Sequence, residues 1–529
     1  MAIRSGCLAA IRPGGGMERR ISLRALRAAA IAAVLGFSGA AYAQDDMAPA
    51  DEQVLRLVTA NMPRSLDPTN IDAQRLINNG FAEPLVHQSA DGTQLIPALA
   101  TSWELVEPTL WRVELQPDGF FWSGTPVTAE AVAASLSRHQ SDNSRATSVL
   151  GGVSFAAVGP TTLEIRTPSE DPAFLYNLTT LPIENVAAIE TLGDAYATTG
   201  DMSGYFRPVE FVSGELITGV PFDGYHGERP RLERIEARFV VDPQTRYLAM
   251  LSGEADMDAN VQFEQLRLYL RNDGINIVER ARNTWNVWMN YDHPLLADPR
   301  MREALSLGVD RDEIVTSIMA PFAVSPTGHF PAGLPYAIDR PQASDASRAN
   351  AILDEMGWTP GPDGIRVKDG KPLEFGLLTY GWWNTVAVAL ESQWRQIGVR
   401  VNLQVVEPAA SNQIMLDGAF DIATYCSCPT ATGDLYGTLH QWYHTDSVRN
   451  WQSYSSPEVD ALLGKLRAET EQERRFDLAR QIQDIVMNDT ALLYVSNAAM
   501  LSIAHAGDVR GVDPERPNDI VPGMYIAAE

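Results

Sequence analysis

The sequence predicts an α/β protein, and three features predict it. Segments that alternate apolar with polar residues mark half-buried strands, as in Val54-Leu55-Arg56-Leu57-Val58-Thr59-Ala60. A helix, a glycine and a strand follow one another over residues 385–405, which is half of a βαβ unit and points to parallel pairing. The length of 529 residues, 45% apolar and 20% charged, is of ordinary globular composition but too large for one core.

Each element has its own signal. Trp111 to Leu115 and Leu163 to Arg166 alternate in the same way as 54–60, and Thr128 caps a helix over 129–138 with Val132 and Leu136 on its packed face. The texture changes near residue 298. Asp298-Pro299 is an N-cap followed by proline at the first helical position. Asp310 and Glu313 form a carboxylate capping box. A helix over 346–356 carries Ala349, Ile352, Leu353 and Met356 on one face and stops at Gly357. Another runs from Thr385 to Ile397, ends at Gly398, and hands over to the alternating strand 399–405. Ser456-Pro457 opens a further helix, 471–488 continues the helical tract, and Leu492 to Val495 is a strand. The later part is therefore expected to be α/β with mostly parallel strands.

Residues 1–43 do not belong to the globule. Arg19, Arg20, Arg24 and Arg27 precede a small, apolar run from Ala28 to Phe37, and Ala41-Tyr42-Ala43 places small residues where a signal peptidase reads them. A run this short does not cross a bilayer as a permanent helix, which takes about 20 residues. The reading is a signal peptide cleaved after Ala43 and export to the periplasm. Arg19-Arg20-Ile21-Ser22-Leu23-Arg24 fits either the general or the twin-arginine route, and Met17 is an alternative start. No cysteine follows the run to carry a lipid anchor.

Removing the leader takes away six arginines and one glutamate, leaving 35 basic and 66 acidic side chains and a net charge of −31. Such a surface repels nucleic acid and anionic lipid. Cys426 and Cys428 remain as Cys-Ser-Cys, with no zinc-type spacing, and the sequence leaves open whether they pair. No nucleophile elbow, P-loop, zinc-protease helix or dinucleotide fingerprint is present, so nothing points to an enzyme or a cofactor. Of the eight histidines only His440 and His444 stand four apart, the spacing that sets two imidazoles on one helical face, and they are the weak metal candidates.

Several stretches together resemble the peptide/opine/nickel family of extracellular solute-binding proteins, family 5. They are Ser65-Leu66-Asp67-Pro68, Glu83-Pro84-Leu85-Val86, Leu99-Ala100-Thr101-Ser102-Trp103-Glu104 and Trp122 to Glu130, with Ala131 where the family usually has aspartate. Tyr225 to Pro230, Gly253-Glu254-Ala255-Asp256, Asp298 to Leu305 with Val309-Asp310-Arg311, Ile397-Gly398-Val399 and Ser456 to Leu463 follow in the same order. The resemblance implies a bilobal periplasmic clamshell with mixed sheets and an extra inserted domain. The segments expected are lobe I from 44–79, 206–285 and 491–529, an inserted domain II at 80–205, and lobe III at 286–490. It also implies a monomer that closes on a small peptide or peptide-like solute and delivers it to the permease subunits of an ABC importer. A metal chelate or an opine is the alternative solute, and a secreted hydrolase on a borrowed fold is a third, distant reading.

In this family the loop after the strand Asp421 to Thr424 faces the cleft. Here it offers Tyr425, Cys426, Cys428, Thr430 and Asp434, with no acid before Asp434 to pair with a peptide ammonium. Asp434 fits ligand contact or a turn carboxylate bonding its own backbone. Trp382 and Trp383 lie between a strand and a helix, where α/β ligands gather, and two adjacent tryptophans cannot both enter one core. Trp285 on the crossover between lobes, and Asn450 and Trp451 before the Ser456 helix, complete the expected contacts. Intact-mass analysis of the protein purified from its own periplasm is expected to place the N-terminus at Gln44; a chain still beginning at Met1 or Met17 would remove the leader assignment.

Overall fold

In the structure, a computed structural model, the described residues are 47–529 except 70–73, 91, 144–145, 280–281, 320–322, 382, 428–433, 500–501, 515, 517–518 and 529. Strand β1 (Val54–Thr59) buries Leu55 and Leu57, as its alternation requires. A module follows in which β2 (Ala100–Glu107), β3 (Leu110–Leu115), β4 (Ser154–Ala157) and β5 (Thr162–Arg166) form a four-stranded sheet in the order β2-β3-β5-β4. Helix α1 (Ala129–Asp142) packs on it, and Thr128 caps α1 by accepting from the Ala131 amide. The chain then returns to β1 through β6 (Phe206–Val212), β7 (Leu216–Pro221), β8 (Arg234–Phe239), helix α2 (Pro243–Ser252), β9 (Met257–Val261) and β10 (Ile275–Glu279).

The second half opens with β11 (Arg282–Met289), α3 (Pro299–Leu307), β12 (Ala323–Val324) and α4 (Ala346–Glu355). Then come β13 (Glu374–Thr379), α5 (Trp383–Gln396), β14 (Arg400–Val405), β15 (Ile422–Ser427), α6 (Leu435–Tyr443), α7 (Pro457–Ala468) and α8 (Gln472–Asn488). Strands β16 (Leu493–Ala499) and β17 (Ser502–Ala506) close the walk. The larger sheet has seven strands, β10-β17-β9-β1-β8-β7-β6, and the other has six, β12-β16-β11-β15-β13-β14. β13 pairs in parallel with β14 and with β15, as the helix-glycine-strand signal requires. The expectation of mostly parallel strands holds only for these three. β11 pairs antiparallel with β15 and β16, and β12 with β16, because β11 and β16 are the strands by which the chain enters and leaves the sheet.

Those two strands carry the join between the sheets. β10 pairs with β17 from Ile275↔Ala506 to Glu279↔Ser502, and β11 pairs with β16 from Arg282↔Ala499 to Trp285↔Ser496. The two pairings have the same offset. All of β11 and β16 lies in the six-stranded sheet, and all of β10 and β17 in the seven-stranded one.

Local caps follow the sequence with one substitution. Asp310 accepts from the Glu313 amide, but the return arm of the box comes from elsewhere: Gln393 Oε1 accepts from the Asp310 amide and Gln393 Nε2 donates to Glu313. Buried charges are paired in place. Arg246 and Asp258, both essentially inaccessible, meet at 3.0 Å, and Arg246 also donates to the Val240, Val241 and Asn260 carbonyls. Burial raises the Asp258 carboxyl, with Arg246 opposing. Arg138 on α1 binds Asp67 at 2.7 Å and Glu184 at 2.7 Å, tying the module to the segment after β1.

Three histidines are locked neutral. Burial pushes His87 and His329 down to about 3 and His139 down to about 4. His139 Nδ1 accepts from Asn143 Nδ2 at 3.2 Å, so the proton sits on Nε2, 2.8 Å from the Pro182 carbonyl. A histidine whose folded value is depressed refuses a proton that the unfolded chain accepts below about pH 6.5, so its contribution is whole above that and lost as pH falls toward 4. For His139 the loss is about 2 kcal/mol at pH 5. Raised carboxyls such as Asp171 act in the opposite sense, so the measurement is the difference between parent and H139Q. Urea unfolding is expected to show a stability gap between parent and H139Q that narrows by about 2 kcal/mol from pH 7.5 to 5.0.

Candidate functional site

The carboxyl ends of β13 and β15 lie side by side, the place where open α/β sheets present side chains to a ligand. Alternation along the strands sorts their aromatics. Trp285 and Cys426 join the core under α5, whereas Trp288 and Ala423 face the helices α6 to α8. Tyr425, half-buried, borders both.

On the α6–α8 side an aromatic cluster forms. Tyr425 meets Trp451 edge-on at 5.0 Å between centroids and lies 6.1 Å from Tyr380. Trp288 and Trp442 pack behind them, at 5.0 Å from each other and each 5.8 Å from Trp451. Tyr380, Tyr425 and Trp451 keep partial exposure, while Trp288 and Trp442 have essentially none. The indole N–H groups of Trp288, Trp442 and Trp451 are buried without hydrogen-bond partners. Arg449, exposed, rests its guanidinium 5.9 Å from the Trp451 ring and 6.0 Å from that of Trp442. Among the described residues no carboxylate ion-pairs with it. Burial raises the Tyr425 hydroxyl, with Arg449 opposing, so this rim presents a neutral phenol and one cation.

The expected contacts divide. Tyr425 and Trp451 come together in this cluster. Asn450 stays 8% exposed and serves its own loop: Nδ2 donates to the His444 and Tyr454 carbonyls, and Oδ1 accepts from the Tyr454 amide. Trp383 and Trp285 are core residues, 0% and 1% exposed, tilted against each other at 4.9 Å. The shared face of β11 and α5 draws both indoles inward. Cys426 is disulfide-bonded and points to the same core. Asp434 caps α6: Oδ2 accepts from the Tyr436 and Gly437 amides and Oδ1 binds Arg475 at 2.5 Å. Its carboxylate is committed to the turn and the ion pair. Trp382, Cys428 and Thr430 lie outside the described residues.

His440 and His444 stack with ring centroids 4.5 Å apart. Burial first and His444 second push His440 down to about 4, so it is neutral and able to donate a lone pair to a metal. Among the described residues no third His, Cys, Asp or Glu completes a metal cluster. Trp288, Trp442, Tyr380 and Arg449 were not singled out from sequence. The signal existed for one of them: in Trp285-Asn286-Val287-Trp288 the odd spacing sends the two indoles to opposite faces of a strand.

Residues 94–450 match the family model described as bacterial extracellular solute-binding proteins, family 5 middle. The chain is 26% identical to the probable D,D-dipeptide-binding periplasmic protein DdpA of Escherichia coli, with 90% of this chain and 94% of the relative covered. It is also 26% identical to the periplasmic oligopeptide-binding protein OppA of the same organism, over 96% and 99%. Among solved structures, the nickel ABC transporter protein of Bacillus halodurans superposes with a TM-score of 0.74 at 26% identity, covering 90% of this chain and all of that one. NikA of Brucella suis in complex with Fe(III)-EDTA gives a TM-score of 0.77 at 22% identity, over 89% and 99%. These relatives are binding proteins of transport systems, not enzymes, and the architecture they share is bilobal. The chain belongs to family 5 of the bacterial extracellular solute-binding proteins and is the substrate-binding component of an ABC importer.

Proposed function

We propose that the protein captures a small peptide or peptide-like solute in the periplasm as a monomer, after loss of residues 1–43, and presents it to the permease. The observation that carries this reading is the half-exposed pair Tyr425 and Trp451 with Arg449 at its rim, which forms no ion pair among the described residues. A flat aromatic wall accepts many apolar side chains, and a lone guanidinium beside it selects a carboxylate. The solute would then be held by its acid end rather than by its ammonium, since Asp434 is occupied by Tyr436, Gly437 and Arg475. In this reading the seven-stranded sheet is lobe I, residues 80–205 are the inserted domain, the six-stranded sheet is lobe III, and the β10–β11 and β16–β17 connections are the hinge. Closing the lobes takes the solute out of water and strengthens the polar contacts made to it.

A metal chelate is the second reading, favoured by nickel-binding relatives and by the neutral His440 beside His444. Two imidazoles stacked face to face aim their lone pairs past each other, and Arg467 raises the cost of a cation there.

Native mass spectrometry of the protein purified from its own periplasm is expected to find a retained acidic solute, and X-ray scattering is expected to show compaction when that solute is restored. Tyr425→Ala or Trp451→Ala is expected to weaken its binding at least about tenfold with little loss of stability. Trp383→Ala is expected to do the reverse, costing about 3–5 kcal/mol in urea unfolding. A compound consumed by turnover, without compaction, would end the receptor reading.

A further inference from the structure

The module and the helical flank of the six-stranded sheet meet through polar groups. Arg467 on α7 donates from Nη2 to Ser169 Oγ at 2.7 Å, and Gln472 at the start of α8 donates from Nε2 to the Thr93 carbonyl at 3.2 Å. Arg467 is steadied on its own side by the Tyr436 ring, 5.6 Å away. The buried core of the module and that of α6 to α8 share no side chain. The module's other attachment is of a different kind: Arg138 holds Asp67 and Glu184 with two bonds of 2.7 Å, and Met202, Tyr205 and Phe206 sit in the core of the seven-stranded sheet. One side shares a hydrophobic core; the other is joined by the polar bonds of Arg467 and Gln472.

Asp171 lies two residues beyond Ser169 on the same loop. Its carbonyl accepts from Trp111 Nε1 at 3.3 Å and its carboxylate from the Ala173 amide at 3.2 Å. Across the contact it faces Asp434, of like charge, with Arg467 and Arg475 of opposite charge and the Tyr436 phenol.

We propose that this contact is a clasp, formed when the lobes close and firmer in acid than at neutral pH. It rests on the receptor reading, since it needs lobes that open. Burial first and Asp434 second raise the Asp171 carboxyl to about 6, against the pull of Arg467, Arg475 and the Ala173 amide. With the lobes apart Asp171 returns to water and to its ordinary value near 4. Closure therefore takes up a proton between those values, so the closed form gains as pH falls through 6 and gains no more below about 4. The closed-to-open ratio rises about tenfold from pH 7.5 to 5.0.

The test is energy transfer between dyes on V158C in the module and V388C on α5, both sites being 54% exposed, in the solute-free full-length mature protein. The parent is expected to shift toward the closed form by about tenfold between pH 7.5 and 5.0. Asp171→Asn is expected to hold one ratio at both pH values, more closed than the parent at pH 5.0, because the parent approaches its limit only below about pH 4. Ser169→Ala and Arg467→Ala are expected to shift the ratio toward open at both; Ser169→Ala, a surface change, guards against misfolding of the other. A parent ratio indifferent to pH, or Asp171→Asn with the parent's pH slope, overturns the clasp. Adding a tryptic casein digest separates the two levels: if the digest closes the lobes while the Asp171 and Ser169 variants track the parent, only the clasp fails. If neither pH nor the digest nor periplasmic extract moves the dyes, the receptor reading falls with it.

Discussion

The one constraint on which everything else depends is the shared register of β10–β11 against β16–β17. Two strands that pair with the same offset in both sheets bind the sheets to a single ribbon. A ribbon of two strands resists stretching and shear through its hydrogen bonds and twists more readily than a wide sheet. Each sheet has a core of its own, and in the proposed receptor this pair of strands is where the angle between the sheets changes.

Rigid sheets in turn demand that charges inside them be settled locally. Arg246 with Asp258, Arg138 with Asp67 and Glu184, and Arg311 with the Tyr494 and Val309 carbonyls each finish their hydrogen bonding within one neighbourhood. Breaking such a group would strand a charge out of water, which is why these positions belong to the scaffold and not to binding. Arg449 departs from the pattern. In a chain with so large an excess of acids, it rests on two indoles and, among the described residues, forms no ion pair with a carboxylate.

Much of the scaffold was legible in the sequence because its signals are local. Thr128, Asp298, Asp310 and Ser456 cap the helices that follow them, and Gly357 and Gly398 take the positive φ that ends a helix. The site was less legible because it depends on which face of a strand a side chain takes and what stands opposite. Trp383 reads as a loop residue near a ligand until α5 is seen to begin at it and turn it onto Trp285. Asp434 reads equally as a ligand contact or a turn carboxylate until the Tyr436 and Gly437 amides and Arg475, distant in sequence, are seen to take it. The substitution of Gln393 for the return arm of the Asp310 box is invisible for the same reason: a tertiary partner replaced a local one.

The seven-stranded sheet also has an order of assembly written into it. Its outermost strand on one side, β10, is joined to the rest only through β17, which lies near the end of the chain. β1, from near the start, waits for β8 and β9, far downstream, before either of its edges is covered. The sheet is therefore unfinished until almost the whole polypeptide is available, and nicking off the tail beyond β16 would uncouple β10 from its neighbours at one stroke. The six-stranded sheet shares the dependence through β16, so the single late pass of β16 and β17 is the last stitch for both halves.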